Sequence, residues 1–335
     1  MFQTRDSGAD DRPQILHAEG LRKVYGARTA LKNLSFSLQA GRVVGFLGPN
    51  GAGKTTSIRI LTTILQPSSG HFVVDGISSD HSEEIRRRIG VLPEGLGFPR
   101  QLTGFRYLTY YGELFGRATA EARAVADQLL DEVGLKARAQ SPIGSYSHGM
   151  RQRLGIARAL VNDPAVVFFD EPTLGLDPRG QRELLGLIQA VARQRHKGVV
   201  LSSHLLSEIE GVCDDVVIMN AGEVVAKGSV ADVIGQGGHD DRIAVRVRVP
   251  VPALDTARGL VEALPSVRAA VPADDGSGWL GVQLVPENGS SDPGPRTVNR
   301  ILETLIAADV PIAGVDSGAS RLEDVFLRLT TETIQ

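Results

Sequence analysis

Residues 48–56 read GPNGAGKTT, and no other stretch of the chain restricts its fold so tightly. Gly48, Gly53, Lys54 and Thr55 fit the pattern G-x-x-x-x-G-K-[ST], with the apolar run RVVGFLG before it and the helix-like KTTSIRILTTIL after it. The unit this predicts is strand, loop, helix. Its physical demand is a loop whose backbone N–H groups point inward at phosphate oxygens. Glycines permit that curvature, and the helix N-terminus behind the loop adds a favourable dipole. Pro49, Asn50, Gly51, Ala52 and Thr56 complete the loop, Lys54 would hold the β- and γ-phosphates, and the Thr55 hydroxyl would bind Mg2+.

The remaining pattern supplies the layers around that unit. From Ile15 the chain alternates like β-structure in ILHAEGLRKVYG and LKNLSFSL, and HFVVDG is another short strand. Residues 83–161 read as mostly helical, in EEIRRRI, GFRYLTYYGELFG, AEARAVADQLLDEVGL and GMRQRLGIARALV. Strands and helices then alternate through AVVFFD, RELLGLIQAVARQ, GVVLSS, LLSEIEGV and DVVIMN. Short apolar strands separated by helices predict an α/β layered fold with central strands buried on both faces.

GQGGHDDR, residues 235–242, reads as a linker. Beyond it come strand, helix, strand, a turn at Asp275-Gly276, strand, the loop ENGSSDPGPR, helix, strand and a last helix RLEDVFLRLT. That order is βαββαβ plus one helix, the ferredoxin-like arrangement of a small α+β domain. In the last helix Leu322, Val325, Phe326 and Leu329 share one face, which predicts docking against the domain. The domains expected are a leader at 1–13, disordered by its charge and small polar residues, a first domain at 14–236 and an accessory domain at 237–335.

Two further carboxylate features carry chemistry. AVVFFDEP, residues 165–172, ends an apolar strand in Asp170 and Glu171, at the strand edge where α/β sheets bind ligands. Alone this is also a common solvated turn. Beside a phosphate loop, Asp170 would contact Mg2+ and Glu171 would polarise the attacking water. An Asn-Lys-x-Asp base-reading motif is absent from the sequence, so ATP is the better nucleotide. The second feature is Glu94 in VLPEG, whose surroundings are ordinary turn chemistry and leave its role open.

Composition excludes more than it identifies. A net charge of -3 leaves no basic footprint for nucleic acid, so no nucleic-acid partner is expected. The single cysteine, Cys213, cannot close an intramolecular disulfide and reads as a small core residue in a reducing compartment. No apolar run approaches the roughly 18 residues that span a bilayer, so any membrane role needs a partner chain.

In this order the motifs resemble the ATP-binding cassette (ABC) ATPases over residues 15 to about 235. YSHGMRQRLGIARAL (146–160) resembles the LSGGQ signature segment, LGLDP (174–178) the D-loop, and VVLSSH places His204 where the family has its switch histidine. Tyr25 stands at the position of the adenine-stacking aromatic. The resemblance implies a P-loop NTPase fold with a helical subdomain at about 83–161 and a head-to-tail dimer that sandwiches ATP. Ser147 and the Gly149 amide of one copy would cap the γ-phosphate held by the other, His204 would contact that phosphate, and Asp177 would let the two sites sense each other.

There are two departures. The signature keeps only Ser147 and Gly149, with His148 where glycine is usual, and Glu94 takes the place of the Q-loop glutamine. A carboxylate supplies an oxygen ligand for Mg2+ but donates no hydrogen bond and adds negative charge near the γ-phosphate.

RLEDVFLRLT resembles the tail of drug-export cassettes of the daunorubicin/doxorubicin-resistance type. The expectation is therefore an exporter ATPase on the cytoplasmic face of the membrane, docked on a separately encoded permease, with Leu96 and Phe98 exposed near that contact. The alternative is a non-transport ABC ATPase acting on DNA or ribosomes. Against it, no coiled-coil insertion fits between Thr55 and Tyr146, and there is one P-loop. A degenerate cassette that binds ATP without turnover conflicts with intact Lys54, Asp170, Glu171 and His204.

Overall fold

The computed structural model describes residues 12–95, 97–236, 243–273, 276–285 and 295–316, with positions 322, 325 and 326. The expected leader, most of the linker, the loop ENGSSDPGPR apart from its last two residues, Leu96 and Leu329 lie outside the described residues. The chain divides into two compact units, Met1–Val230 and Ala231–Gln335.

The first unit opens with a long antiparallel pair, β1 (Gln14–Tyr25) and β2 (Arg28–Gln39). β3 (Val43–Leu47) then runs into the loop and helix α1 (Lys54–Leu61). β4 (Ser69–Val74) and β5 (Ile77–Ser78) extend the ribbon at its far edge. Next come α2 (Ser82–Arg88), β6 (Ile89–Leu92) and the helices α3 (Gly104–Leu114), α4 (Thr119–Glu132) and α5 (His148–Leu160). The chain closes the core with β7 (Val166–Asp170), α6 (Pro178–Arg195), β8 (Gly198–Ser203), α7 (Leu206–Val212), β9 (Asp215–Asn220) and β10 (Glu223–Ser229).

These strands form a 10-stranded sheet in the order β5-β4-β1-β2-β10-β9-β3-β8-β7-β6. β9, β3, β8, β7 and β6 are mutually parallel, and every residue of β3, β7 and β8 is buried. Continuous apolar sequence is what a strand covered on both faces requires. Phe36 and Phe46 meet edge to face at 5.1 Å, and both join Phe168 in the central core. Each such side chain contributes about 1.5–3 kcal/mol on burial. Cys213 is buried as expected, and burial with the charges of Asp214, Asp215 and Glu208 pushes its thiol well up.

Two local readings need correction. The stretch from 83 is not helical throughout: α2 and β6 belong to the sheet edge, where β6 pairs with β7, and the continuous helical segment starts at Gly104. A Cβ on Gly90 of β6 would sit 2.0 Å from the Ala159 carbonyl of α5, so glycine sets how closely that helix lies on the strand. β10, in EVVAKGS, was not expected; its mixed, half-buried pattern carries no clean alternation. The two compact units divide just after Val230, the first residue of helix α8 (Val230–Gln236).

In the second unit β11 (Ile243–Arg248), α9 (Leu254–Glu262), β12 (Val267–Pro272), β13 (Trp279–Leu284), α10 (Pro295–Ala307) and β14 (Gly314–Asp316) follow in turn. The four strands lie in the order β12-β13-β11-β14 with antiparallel pairing throughout. Val245, Val247, Leu280 and Val282 pack with Ala257, Val261, Ile301 and Leu305 of the helices. Leu322 and Val325 are buried and Phe326 is half-buried.

Candidate functional site

Parallel strands that all point one way bring their C-terminal ends to one edge of the sheet, and the chemistry-bearing residues gather there. Gly48 follows β3, Asp170 ends β7 with Glu171 next, His204 follows β8, and Glu94 lies two residues past β6.

The loop after β3 has the required backbone. Gly51 and Gly53 take φ values of 84° and 107°, in the left-handed region that favours glycine. A Cβ on Gly48 would lie 2.3 Å from the Met219 carbonyl oxygen. Helix α1 starts directly behind, and Gly53 offers its first N–H groups no side-chain cap, which leaves them for an anion. Lys54 is buried; its ammonium donates to the Gly48 carbonyl at 2.6 Å and lies 3.5 Å from Glu171 Oε1. Thr55 Oγ1 donates to Asp170 Oδ1 at 3.4 Å.

Ser202 on β8 organises both carboxylates. Its hydroxyl donates to Asp170 Oδ1 at 2.6 Å and accepts the Glu171 N–H at 3.0 Å. Glu171 has φ 48°, a conformation that costs a non-glycine residue roughly 1 kcal/mol or more and concentrates at functional sites. Its Oε2 lies 2.7 Å from His204 Nδ1, so that nitrogen carries the proton and donates. One step along, Ser203 Oγ donates to the buried Glu208 at 2.6 Å and accepts the Leu205 N–H at 3.0 Å, which anchors the backbone on both sides of His204.

A cleft of about 350 Å3 opens over this edge. It is lined by residues 49–56, by Glu94, Glu171, Leu174 and His204, and by Arg28 and Ala30 at the start of β2. Glu94 is exposed there and makes no hydrogen bond or ion pair among the described residues. Tyr25 is 45% exposed with the Lys23 ammonium 5.3 Å from its ring centroid, and it stands outside the lining residues. Sequence reasoning missed Arg28, Ser202 and Glu208; the only available signal was the pair of serines ahead of His204.

The oxygens of Thr55 and Asp170 are the hard donors that Mg2+ takes, and they face each other beside the phosphate loop. The residues therefore fit the metal.

Ser147, Gly149 and Asp177 are elsewhere. With His148, Gly175 and Leu176 they line a separate cleft of about 420 Å3. Two helix N-termini open into it: Ser147 caps α5 by accepting the Met150 N–H, and Asp177 caps α6 by accepting the Gly180 N–H. None of the three lines the phosphate cleft of its own chain.

Below Glu94, Arg158 of α5 donates to the Val91 carbonyl at 3.0 Å and to the Tyr107 hydroxyl at 3.3 Å. Burial pushes the Tyr107 phenol up to about 12, with the Arg158 charge opposing. Phe98 is half-buried and packs edge-on to Tyr107 at 5.3 Å, so it is less exposed than expected. The exposed apolar side chains of this region are Tyr110, Leu114 and Phe115, at the end of α3.

Comparison with known proteins is consistent with this geometry. Residues 31–174 match the family model described as "ABC transporter". The chain is 31% identical to the uncharacterized ABC transporter ATP-binding protein YdbJ of Bacillus subtilis, over 95% of this chain and 96% of that protein. It is 30% identical to the linearmycin resistance ATP-binding protein LnrL of the same organism, over 96% of this chain and 100% of that one. Among solved structures it resembles the dimeric, post-hydrolysis state of the ATP-binding cassette MJ0796 bound to ADP and Pi. There the TM-score is 0.59 at 25% identity, over 64% of this chain and 98% of that one.

Proposed function

The chain belongs to the ABC transporter family as an ATP-binding protein with ATPase activity, and from that premise we propose that it powers export of a drug, antibiotic or other lipophilic compound through a separately encoded permease. The observation that carries the mechanism is the division of the site into two clefts. One chain holds the phosphate loop with Lys54, Asp170, Glu171 and His204, and presents Ser147, Gly149 and Asp177 on a different surface. A second copy turned head to tail brings its signature cleft over the first copy's phosphates. The two capped helix N-termini then face anionic oxygens, which favours closure. That a similar cassette is solved as a dimer in its post-hydrolysis state supports pairing of two copies.

In the closed dimer the loop amides and Lys54 hold the triphosphate, while Thr55 and Asp170 would hold Mg2+, which when bound would supply positive charge against the phosphate oxygens. Glu171 takes a proton from the attacking water, and His204, bonded to that carboxylate, steadies it and reaches the γ-phosphate. Lys54 already lies beside Glu171, so an arriving phosphate competes for the ammonium and frees the carboxylate to act as a base. Hydrolysis removes the contact that bridges the copies, and the population shifts back to the open state. Tyr25 stacks on adenine from the rim.

Glu94 takes the Q-loop position in this reading, as an oxygen ligand toward the metal and a link to the helical segment. Glu94→Gln removes a negative charge from the cleft and adds an N–H donor. It is expected to raise turnover about two- to tenfold, the worth of one modest polar interaction, and to change the Mg2+ dependence. Steady-state ATPase assays across Mg2+ concentrations decide it; identical rates and identical Mg2+ dependence would sink direct participation.

Among the described residues no helix is long and apolar enough to cross a membrane, which leaves translocation to a partner. The exposed Tyr110, Leu114 and Phe115 near the Glu94 segment suit an apolar contact with that partner, at the cytoplasmic face. The strand order and pairing of the second unit support a ferredoxin-like accessory domain with a regulatory or cassette–cassette role. The test is purification of the chain from membranes. Co-isolation with a permease of several membrane-spanning helices, lost in Leu114→Asp, is expected; ATPase activity with no membrane partner at all would move the weight to a non-transport cassette.

A further inference from the structure

We propose that His148 is a positioning residue that couples the two ATP sites of the dimer, by tying the signature turn to the turn that carries Glu171. The proposal rests on the sandwich reading above.

His148 Nε2 lies 2.9 Å from the Leu174 carbonyl oxygen. A carbonyl only accepts, so Nε2 carries the proton and donates, which it does in the neutral Nε2–H tautomer and in the imidazolium alike. The link is therefore not a proton switch. Leu174 is in turn fixed to the candidate base, because its N–H donates to the Glu171 carbonyl at 3.2 Å. Leu174 also lines the phosphate cleft, whereas His148 lines the signature cleft. One hydrogen bond thus joins the two clefts of a single chain.

The surrounding backbone lets the two turns lie close together. Gly175 has φ 77°, and a Cβ there would stand 3.6 Å from His148 Nε2. A Cβ on Gly149 would stand 3.5 Å from Leu176 Cδ2. An added Cβ at either glycine would therefore reach ordinary van der Waals contact across the two turns, and His148 supplies the directional bond between them. A glycine at 148, as in the LSGGQ pattern, has no side chain to make it.

The consequence follows from where each end points. Ser147 and Gly149 would engage the γ-phosphate held by the second copy. Any shift of the signature turn on engagement pulls Leu174, and with it the strained Glu171 at φ 48°. Occupancy of the second copy's site is then felt at the base of this copy's own site.

The experiment is the dependence of initial ATPase rate on ATP concentration for the full chain, His148→Ala and His148→Gln. The wild type is expected to be cooperative, with a Hill coefficient between about 1 and 2 for two sites. His148→Ala should bring that coefficient to about 1 and lower kcat about three- to tenfold, the worth of one hydrogen bond. His148→Gln, whose amide N–H can reach the same carbonyl, should recover both. ATP binding to the nucleotide-free chain without Mg2+, and the thermal unfolding midpoint, should match the wild type in both variants.

A His148→Ala chain that keeps the wild-type Hill coefficient and kcat overturns the proposal. So does one that loses ATP binding in step with kcat, which would mark a merely structural role. A wild type with a Hill coefficient of 1, together with a Glu171→Gln chain that stays monomeric on Mg-ATP, overturns the sandwich reading as well.

Discussion

Glu171→Gln is expected to lower ATP turnover by about 10²- to 10⁴-fold, the range that a positioned general base supplies, while ATP binding persists or tightens. The substitution is nearly isosteric. The amide oxygen can still accept from His204 Nδ1, which lies 2.7 Å from the carboxylate, and the backbone N–H keeps its bond to Ser202. What disappears is the ability to take a proton, and with it the negative charge 3.5 Å from the Lys54 ammonium. Lys54 then has one competitor fewer for the phosphates. Phosphate-release kinetics beside equilibrium binding of ATP separate the two effects. Turnover within a factor of a few of wild type would mean that another group activates the water.

Lys54→Ala should fail at the earlier step. The ammonium is buried between the Gly48 carbonyl and Glu171. A charge-assisted hydrogen bond contributes about 1.5–3 kcal/mol, so losing even one to the phosphates weakens ATP about 10- to 150-fold. Truncation also leaves the Glu171 carboxylate, only 12% exposed, facing the phosphate oxygens with no cation between them. Both terms act in the same direction, and turnover should fall to background at millimolar ATP. Equilibrium binding checks this directly; an affinity within twofold of wild type would remove Lys54 from the phosphate site.

The parts of this site legible in the sequence are those whose physical demands fall on consecutive residues. GPNGAGKTT compresses a turn, a donor nest, a cation and a helix start into nine positions, and each demand has its own residue type. Asp170 and Glu171 were legible only because that loop stood elsewhere in the chain. Ser202 was not legible, because its role follows from the parallel register that sets Asp170 opposite it on the neighbouring strand. His148 reaching Leu174, twenty-six residues away, depends on how two turns pack, and no local pattern encodes that. In the fold, β6 was absorbed into a helical stretch because its four residues follow the charged run EEIRRR directly.

The central claim is that each ATP site is completed by a second copy of the chain. Its most direct test is the mass in solution of the Glu171→Gln chain, by sedimentation equilibrium, with and without Mg-ATP. The mass is expected to double to that of a dimer when Mg-ATP is added, and to return to that of a monomer when Ser147 is additionally replaced by arginine to block the signature. A Glu171→Gln chain that binds ATP and remains a monomer at micromolar concentration would contradict the claim.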